Sequence, residues 1–116
     1  MHKKGFTLVE ILLVVIIVAI LAAIVLPRVM YSAARARNQA CQANIAAINA
    51  QIELYHLNTE GWLSPLSVLL GNTAYFPEGA AAVTCPVLGG DLPAHTGNYT
   101  LDANYRVNRT NHPVMP

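Results

Sequence analysis

The chain has 116 residues, 54% of them hydrophobic and only 11% charged, with a formal charge of +1. That balance excludes recognition of a partner by bulk charge. Once the apolar N-terminal residues are set aside, the length leaves room for one small soluble domain.

The chain opens on His2, Lys3 and Lys4, then Gly5-Phe6-Thr7-Leu8-Val9-Glu10, then sixteen residues from Ile11 to Leu26 without a polar side chain. With Phe6 to Val9 the run reaches the roughly 20 residues a helix needs to cross about 30 Å of hydrocarbon. Glu10 is the anomaly. A carboxylate on a membrane span costs a few kcal/mol and normally persists only with a partner.

Lys4-Gly5-Phe6-Thr7-Leu8-Val9-Glu10 resembles the processing site of the type IV pilin superfamily. The resemblance implies that a membrane-embedded prepilin peptidase cuts between Gly5 and Phe6, removes residues 1–5 as a leader and N-methylates Phe6. It implies that residues 6–27 remain as a helix that sits first in the inner membrane and then in a filament core. It further implies that Glu10 pairs with the terminal amine of a neighbouring subunit. The physics is consistent with that role, because cleavage creates an ammonium four residues from Glu10, where a helix N-terminus already favours negative charge. A subunit docked out of register leaves both charges bare, at a cost of several kcal/mol, so Glu10 sets register more than strength. Two other readings stand beside this one. A secretory signal peptide has small residues such as Ala19, Ala22 and Ala23 for its cut, but a run of 7–15 residues and seldom a carboxylate at its head. A plain single-pass anchor explains the length and leaves Glu10 unpaired.

Charge does not orient the span, since Arg28, Arg35 and Arg37 follow it as His2, Lys3 and Lys4 precede it. Cys41 and Cys85 both lie beyond it, and an even pair in a small non-cytosolic domain favours a disulfide and an outside C-terminal domain. A pair of buried free thiols is the alternative. Without residues 1–5 the chain holds five arginines against six acids, a formal charge of −1.

Pro27 removes the amide that would bond the carbonyl of Ala23, which predicts a kink, a melted turn or a junction of two helices. Residues 28–60 read as an amphipathic helix, with Cys41, Ile45, Ile48, Ile52 and Tyr55 in one stripe and Gln42, Asn44, Asn49, Gln51 and Glu53 on the other faces. If the two segments are continuous, the helix is about 52 residues and roughly 78 Å long.

Residues 61–116 form the expected C-terminal domain. Gly61 stops the long helix, and Ser64-Pro65-Leu66 reads as an N-cap with proline in the first helical position of a short helix that Gly71 ends. Trp62, Tyr75 and Phe76 are expected in or beside the core. Tyr99–Asp102 and Tyr105–Asn108 alternate as a hairpin around Ala103-Asn104, with Tyr99, Leu101, Tyr105 and Val107 facing the helical stripe. Thr110–Pro116 reads as a loose tail.

A cysteine on the helix, Glu60-Gly61, Tyr75-Phe76-Pro77-Glu78, Cys85-Pro86 and a closing hairpin resemble the layout of the short competence-type pilins of Gram-positive bacteria. That resemblance implies the α+β type IV pilin fold and an extracellular homopolymer that captures DNA. It implies an assembly platform and cytoplasmic ATPases as partners, and a single disulfide joining helix to C-terminal domain. The type II secretion pseudopilin, similar in stem and size, is the alternative, and typically holds calcium in a C-terminal loop. Asp91, Asn98, Asp102 and Asn104 lack the ordered spacing of such a loop and read as solvated turns. His56, His95 and His112 stand at no metal-binding spacing, so neither a metal nor a cofactor is predicted. Arg106 and Arg109 are candidate DNA contacts that a filament would repeat, or else solubilising arginines. The glycosylation pattern at Asn98 and Asn108 is too short to carry weight. No nucleophile with a base, and no phosphate loop, points to an enzyme. Electron conduction would need stacked aromatics along the stem, where only Phe6 and Tyr31 lie.

Overall fold

The structure, a computed structural model, describes residues 4–87, 89–91, 93, 95 and 98–115. His2 and Lys3 of the expected leader lie outside them. Helix α1 spans Leu8–Thr59, a short helix α2 spans Leu66–Leu70, and a single 3-10 turn covers Ala80–Ala82. The chain divides into two compact units, Met1–Ala33 and Ala34–Pro116.

In the first unit, residues 4–7 are non-helical and α1 begins at Leu8. Its start is fixed by a reciprocal cap. The Thr7 amide donates to Glu10 Oε2 at 2.9 Å, and the Glu10 amide donates to Thr7 Oγ1 at 3.2 Å. This Thr-x-x-Glu box satisfies two of the amides a helix start leaves without partners. From Ile11 to Leu26 the large apolar side chains are all between 47% and 70% exposed. A helix apolar on every side, with no protein covering it, is suited to lipid or to other chains rather than to water. The helix runs through Pro27 without a break. One missing amide costs one rung of the ladder, and the aliphatic residues on either side keep the rest.

In the second unit the expected stripe is the core. Cys41, Ile45, Ile48 and Ile52 are fully buried, covered by Leu63, Leu66, Leu69, Phe76, Tyr99 and Val107, with Tyr55 and Tyr75 partly buried beside them. Each buried isoleucine contributes about 1.5–3 kcal/mol relative to exposure. The polar residues flanking the stripe are not simply solvated. Asn44 donates to the Thr84 carbonyl at 2.9 Å, Asn49 Oδ1 accepts the Val107 amide at 2.9 Å, and Gln42 donates to the His112 carbonyl at 2.9 Å. These bonds satisfy loop amides and carbonyls that burial would otherwise leave bare.

Four local expectations need correction. The residue that closes α1 is Glu60, not Gly61. Glu60 adopts φ 56, and its amide returns to the His56 carbonyl at 2.8 Å. At the start of α2, Pro65 itself is the N-cap, with no side-chain cap from Ser64, while Gly71 caps the other end as expected. Trp62, expected as a core or half-buried aromatic, keeps 45% of its surface exposed, and Phe76 is buried.

The hairpin is the third correction. All the named elements are helical, and among the described residues the pairing is reduced to one antiparallel bridge, Leu101 with Val107. The turn holds three residues rather than two. The Asp102 amide donates to the Arg106 carbonyl at 2.7 Å, and Tyr105 takes φ 58. A three-residue loop with a left-handed third position is a common hairpin connection. The extra residue shifts the register by one, so Val107 and Leu101 stay on the core face and Tyr105 turns out to 37% exposure.

The C-terminal residues are the fourth. The expected loose tail is tied down: His112 is 1% exposed. Pro113 O accepts from Asn38 Nδ2, and the Met115 amide donates to Asn38 Oδ1, both at 3.1 Å. Pro116 lies outside the described residues.

Candidate functional site

Two places carry chemistry, one in each unit. In the first, the Gly5–Phe6 bond lies in the non-helical residues just before the capped helix start, and the Phe6 ring is 84% exposed. A Cβ built on Gly5 would meet nothing within 4 Å. Glu10 sits in the first turn, with Oε2 on the Thr7 amide. Among the described residues Oε1 has no partner, which leaves one carboxylate oxygen for a cation. The Thr-x-x-Glu cap is legible in the sequence as spacing alone, and it adds a local role for Glu10 that membrane cost does not reveal.

In the second unit, Cys41 on α1 and Cys85 in the following loop are joined by a disulfide, with Cα atoms 4.8 Å apart and 44 residues between them in sequence. The fold gathers two histidines around the pair. His112 Nδ1 lies 3.5 Å from Cys41 Sγ, and His95 Nδ1 lies 3.1 Å from Cys85 Sγ. His95 Nε2 lies 3.0 Å from the Pro113 carbonyl and 3.0 Å from Asn38 Nδ2, with Nδ1 toward sulfur. The Tyr99 hydroxyl is 3.3 Å from Cys41 Sγ. Burial holds the His112 imidazole below its ordinary pKa; the neighbouring His95 adds to this, and the Asn98 backbone partly offsets it. Burial raises the Tyr99 phenol, a hydrogen bond from Asn44 opposing it, so its hydroxyl stays a donor. Positions 41, 85, 95 and 112 follow no metal-motif spacing, so sequence reasoning set the histidines apart from the cysteines. Only the return of the C-terminal residues to α1 brings them together.

The other candidates separate. Asp91 is held by Arg37, Nε and Nη2 donating at 2.8 and 2.7 Å, so it belongs to a bidentate ion pair rather than to a solvated turn. Asp102 serves its own turn, accepting the Asn104 and Arg106 amides at 2.8 and 3.0 Å. Of the two arginines proposed for DNA, Arg106 pairs with Glu53 and lies with its guanidinium 5.7 Å from the Trp62 ring centroid. Trp62 stacks with His56 at 3.9 Å and with Tyr105 at 5.2 Å. Arg109 is exposed and makes no ion pair among the described residues. Among the described residues the ring contacts fall in the second unit, and neither Phe6 nor Tyr31 takes part in one.

Comparison with known proteins gives the same frame. The family model for the prokaryotic N-terminal methylation motif matches residues 1–26. The chain is 43% identical over 57 residues to the type II secretion system core protein G of Pseudomonas aeruginosa, covering 49% of this chain and 40% of that protein. It is 34% identical over 56 residues to the Escherichia coli core protein G, covering 48% and 39%. Against the ComG operon protein 3 homolog of Bacillus licheniformis it is 34% identical over 61 residues, covering 53% and 63%. The chain therefore spans about two fifths of the length of the two secretion proteins and under two thirds of the ComG protein. No solved structure gives a significant match. The matching families are of structural subunits, not enzymes. The methylation motif, the apolar helix behind it and these relatives make the N-terminal half of the chain similar to that of the type IV pilin superfamily.

Proposed function

We propose that this chain is a prepilin that is cut between Gly5 and Phe6, N-methylated on Phe6, and polymerised through α1 into an extracellular filament. One observation carries the reading. The Gly5–Phe6 bond lies in exposed, non-helical backbone immediately ahead of a capped helix start, with Glu10 on the first turn and one carboxylate oxygen open. Cutting there places an ammonium beside the helix start of every subunit. A neighbour's Glu10 that reaches it neutralises two charges in an apolar surrounding, and a misplaced neighbour leaves both bare. Residues 1–5 are then the leader, 6–27 the membrane and assembly segment, 28–60 the amphipathic helix and 61–116 the outer domain. Before assembly the chain sits in the inner membrane with that domain outside, where the disulfide belongs. Pro27 gives the apolar helix its weakest rung, the place where packing into a filament would loosen it. The peptidase, an assembly platform and its ATPase are the implied partners.

Glu10→Ala tests this directly. Processed chain with its disulfide should accumulate in the membrane while sheared filaments fall at least about tenfold, the loss expected from an unpaired buried charge worth several kcal/mol. Unchanged filament yield would remove Glu10 from assembly, and a chain that never reaches a filament in wild type would be an anchor.

A second reading is favoured by the secretion-system relatives: a pseudopilin that serves a type II secretion system. The competence reading requires DNA contacts. Arg109 is the stronger candidate for one, because Arg106 is already engaged with Glu53 and Trp62.

A further inference from the structure

We infer that Cys41, Cys85, His95 and His112 form a zinc site when the two thiols are reduced, so that a metal ion and the disulfide are alternative staples of the same junction. The ligand atoms of all four residues lie within 4.8 Å of one another. Zinc bonded to sulfur at about 2.3 Å and to nitrogen at about 2.0 Å needs ligand separations of roughly 3.3–3.8 Å in a tetrahedron. The two sulfur–nitrogen pairs already stand at 3.5 and 3.1 Å. Opening the disulfide lets the sulfurs separate toward the same range, and the other ligand pairs, all within 4.8 Å, close to it on binding.

The surroundings are those of a ligand set rather than of a chance cluster. His95 turns Nδ1 to sulfur while its other nitrogen lies against Asn38 Nδ2 and the Pro113 carbonyl, outer contacts that orient the ring. Tyr99 offers its hydroxyl to Cys41 sulfur, a donor suited to a thiolate. Cys41 and His112 are buried and Cys85 and His95 half-buried, so the site is largely shielded from water. The set is two thiols and two imidazoles, with no carboxylate among them, a composition that selects zinc over calcium or magnesium. Binding forms two zinc–thiolate and two zinc–imidazole bonds and releases the two thiol protons to solvent. In the oxidised chain the sulfurs bond each other and the site is closed.

The test uses the full-length chain in detergent micelles. A water-soluble phosphine opens the disulfide, gaining the oxygen of water as the phosphine oxide and leaving two thiols, and cobalt(II) is then titrated in. The expected result is one cobalt per chain, with thiolate-to-cobalt charge-transfer absorption and intense tetrahedral bands that zinc displaces. Unreduced chain should show neither. His95→Ala and His112→Ala should each weaken cobalt at least about tenfold in the reduced chain, while His56→Ala leaves it unchanged. Because His112→Ala removes a buried ring, X-ray absorption on zinc-loaded wild-type chain supplies the independent reading: two sulfur and two nitrogen ligands. Absence of the charge-transfer band, its survival in both histidine variants, or a zinc shell of any other composition would overturn the site.

Discussion

Asn38 carries more than its residue type suggests. It is 2% exposed on α1, and its side chain holds the Pro113 carbonyl and the Met115 amide, both at 3.1 Å. Asn38→Ala leaves both backbone groups without that partner in buried surroundings. The expected loss is about 2–3 kcal/mol, read as a lower thermal midpoint of the detergent-solubilised chain, with earlier proteolysis of residues 110–115. Glu60 supplies the opposite case. A side chain at φ 56 costs about 1 kcal/mol that glycine avoids. Glu60→Gly should therefore raise the same midpoint modestly, by the equivalent of about 0.5–1 kcal/mol, and a lowered midpoint would mean that its carboxylate has a partner worth more than the backbone strain.

At the scale of elements, what could be read from sequence is what repeats. The stripe from Cys41 to Ile52 sets its own face at three- and four-residue spacing, and the apolar run sets α1's first half by composition alone. What could not be read depends on single residues whose partners are distant in the chain. The hairpin slipped by one because Tyr105 takes a left-handed conformation that its residue type does not announce. The attachment of the tail is not legible in the sequence, because Asn38, Gln42 and His112 show their roles only once residues 110–115 fold back. The histidine–cysteine cluster was missed for the same reason, while the Cys41–Cys85 disulfide needed only an even count and a compartment. The disulfide joins α1 to the loop that carries the cluster. Replacing both cysteines by serine should cost about 4 kcal/mol on the loop-entropy account for a 44-residue separation. The measurement is thermal unfolding in the presence of a chelator, and a loss below about 1 kcal/mol would mean that packing of the core, not the covalent tie, holds the second unit together.

At the scale of the whole molecule, the two units divide the work. Residues up to Ala33 present an apolar helix surface that the chain itself does not cover, and residues from Ala34 onward build a core of their own. On the proposed function, that surface is covered by lipid before assembly and by copies of the chain in the filament, with the Gly5–Phe6 cut preceding assembly. The most direct test of that account is the intact mass and N-terminal sequence of material sheared from the surface of cells that express the chain. The account predicts filaments whose subunit begins at N-methylated Phe6 and is lighter than the reduced chain by the two hydrogens lost in joining Cys41 to Cys85. Surface material holding a chain still joined at Gly5–Phe6, or cut instead near Ala22, would contradict it.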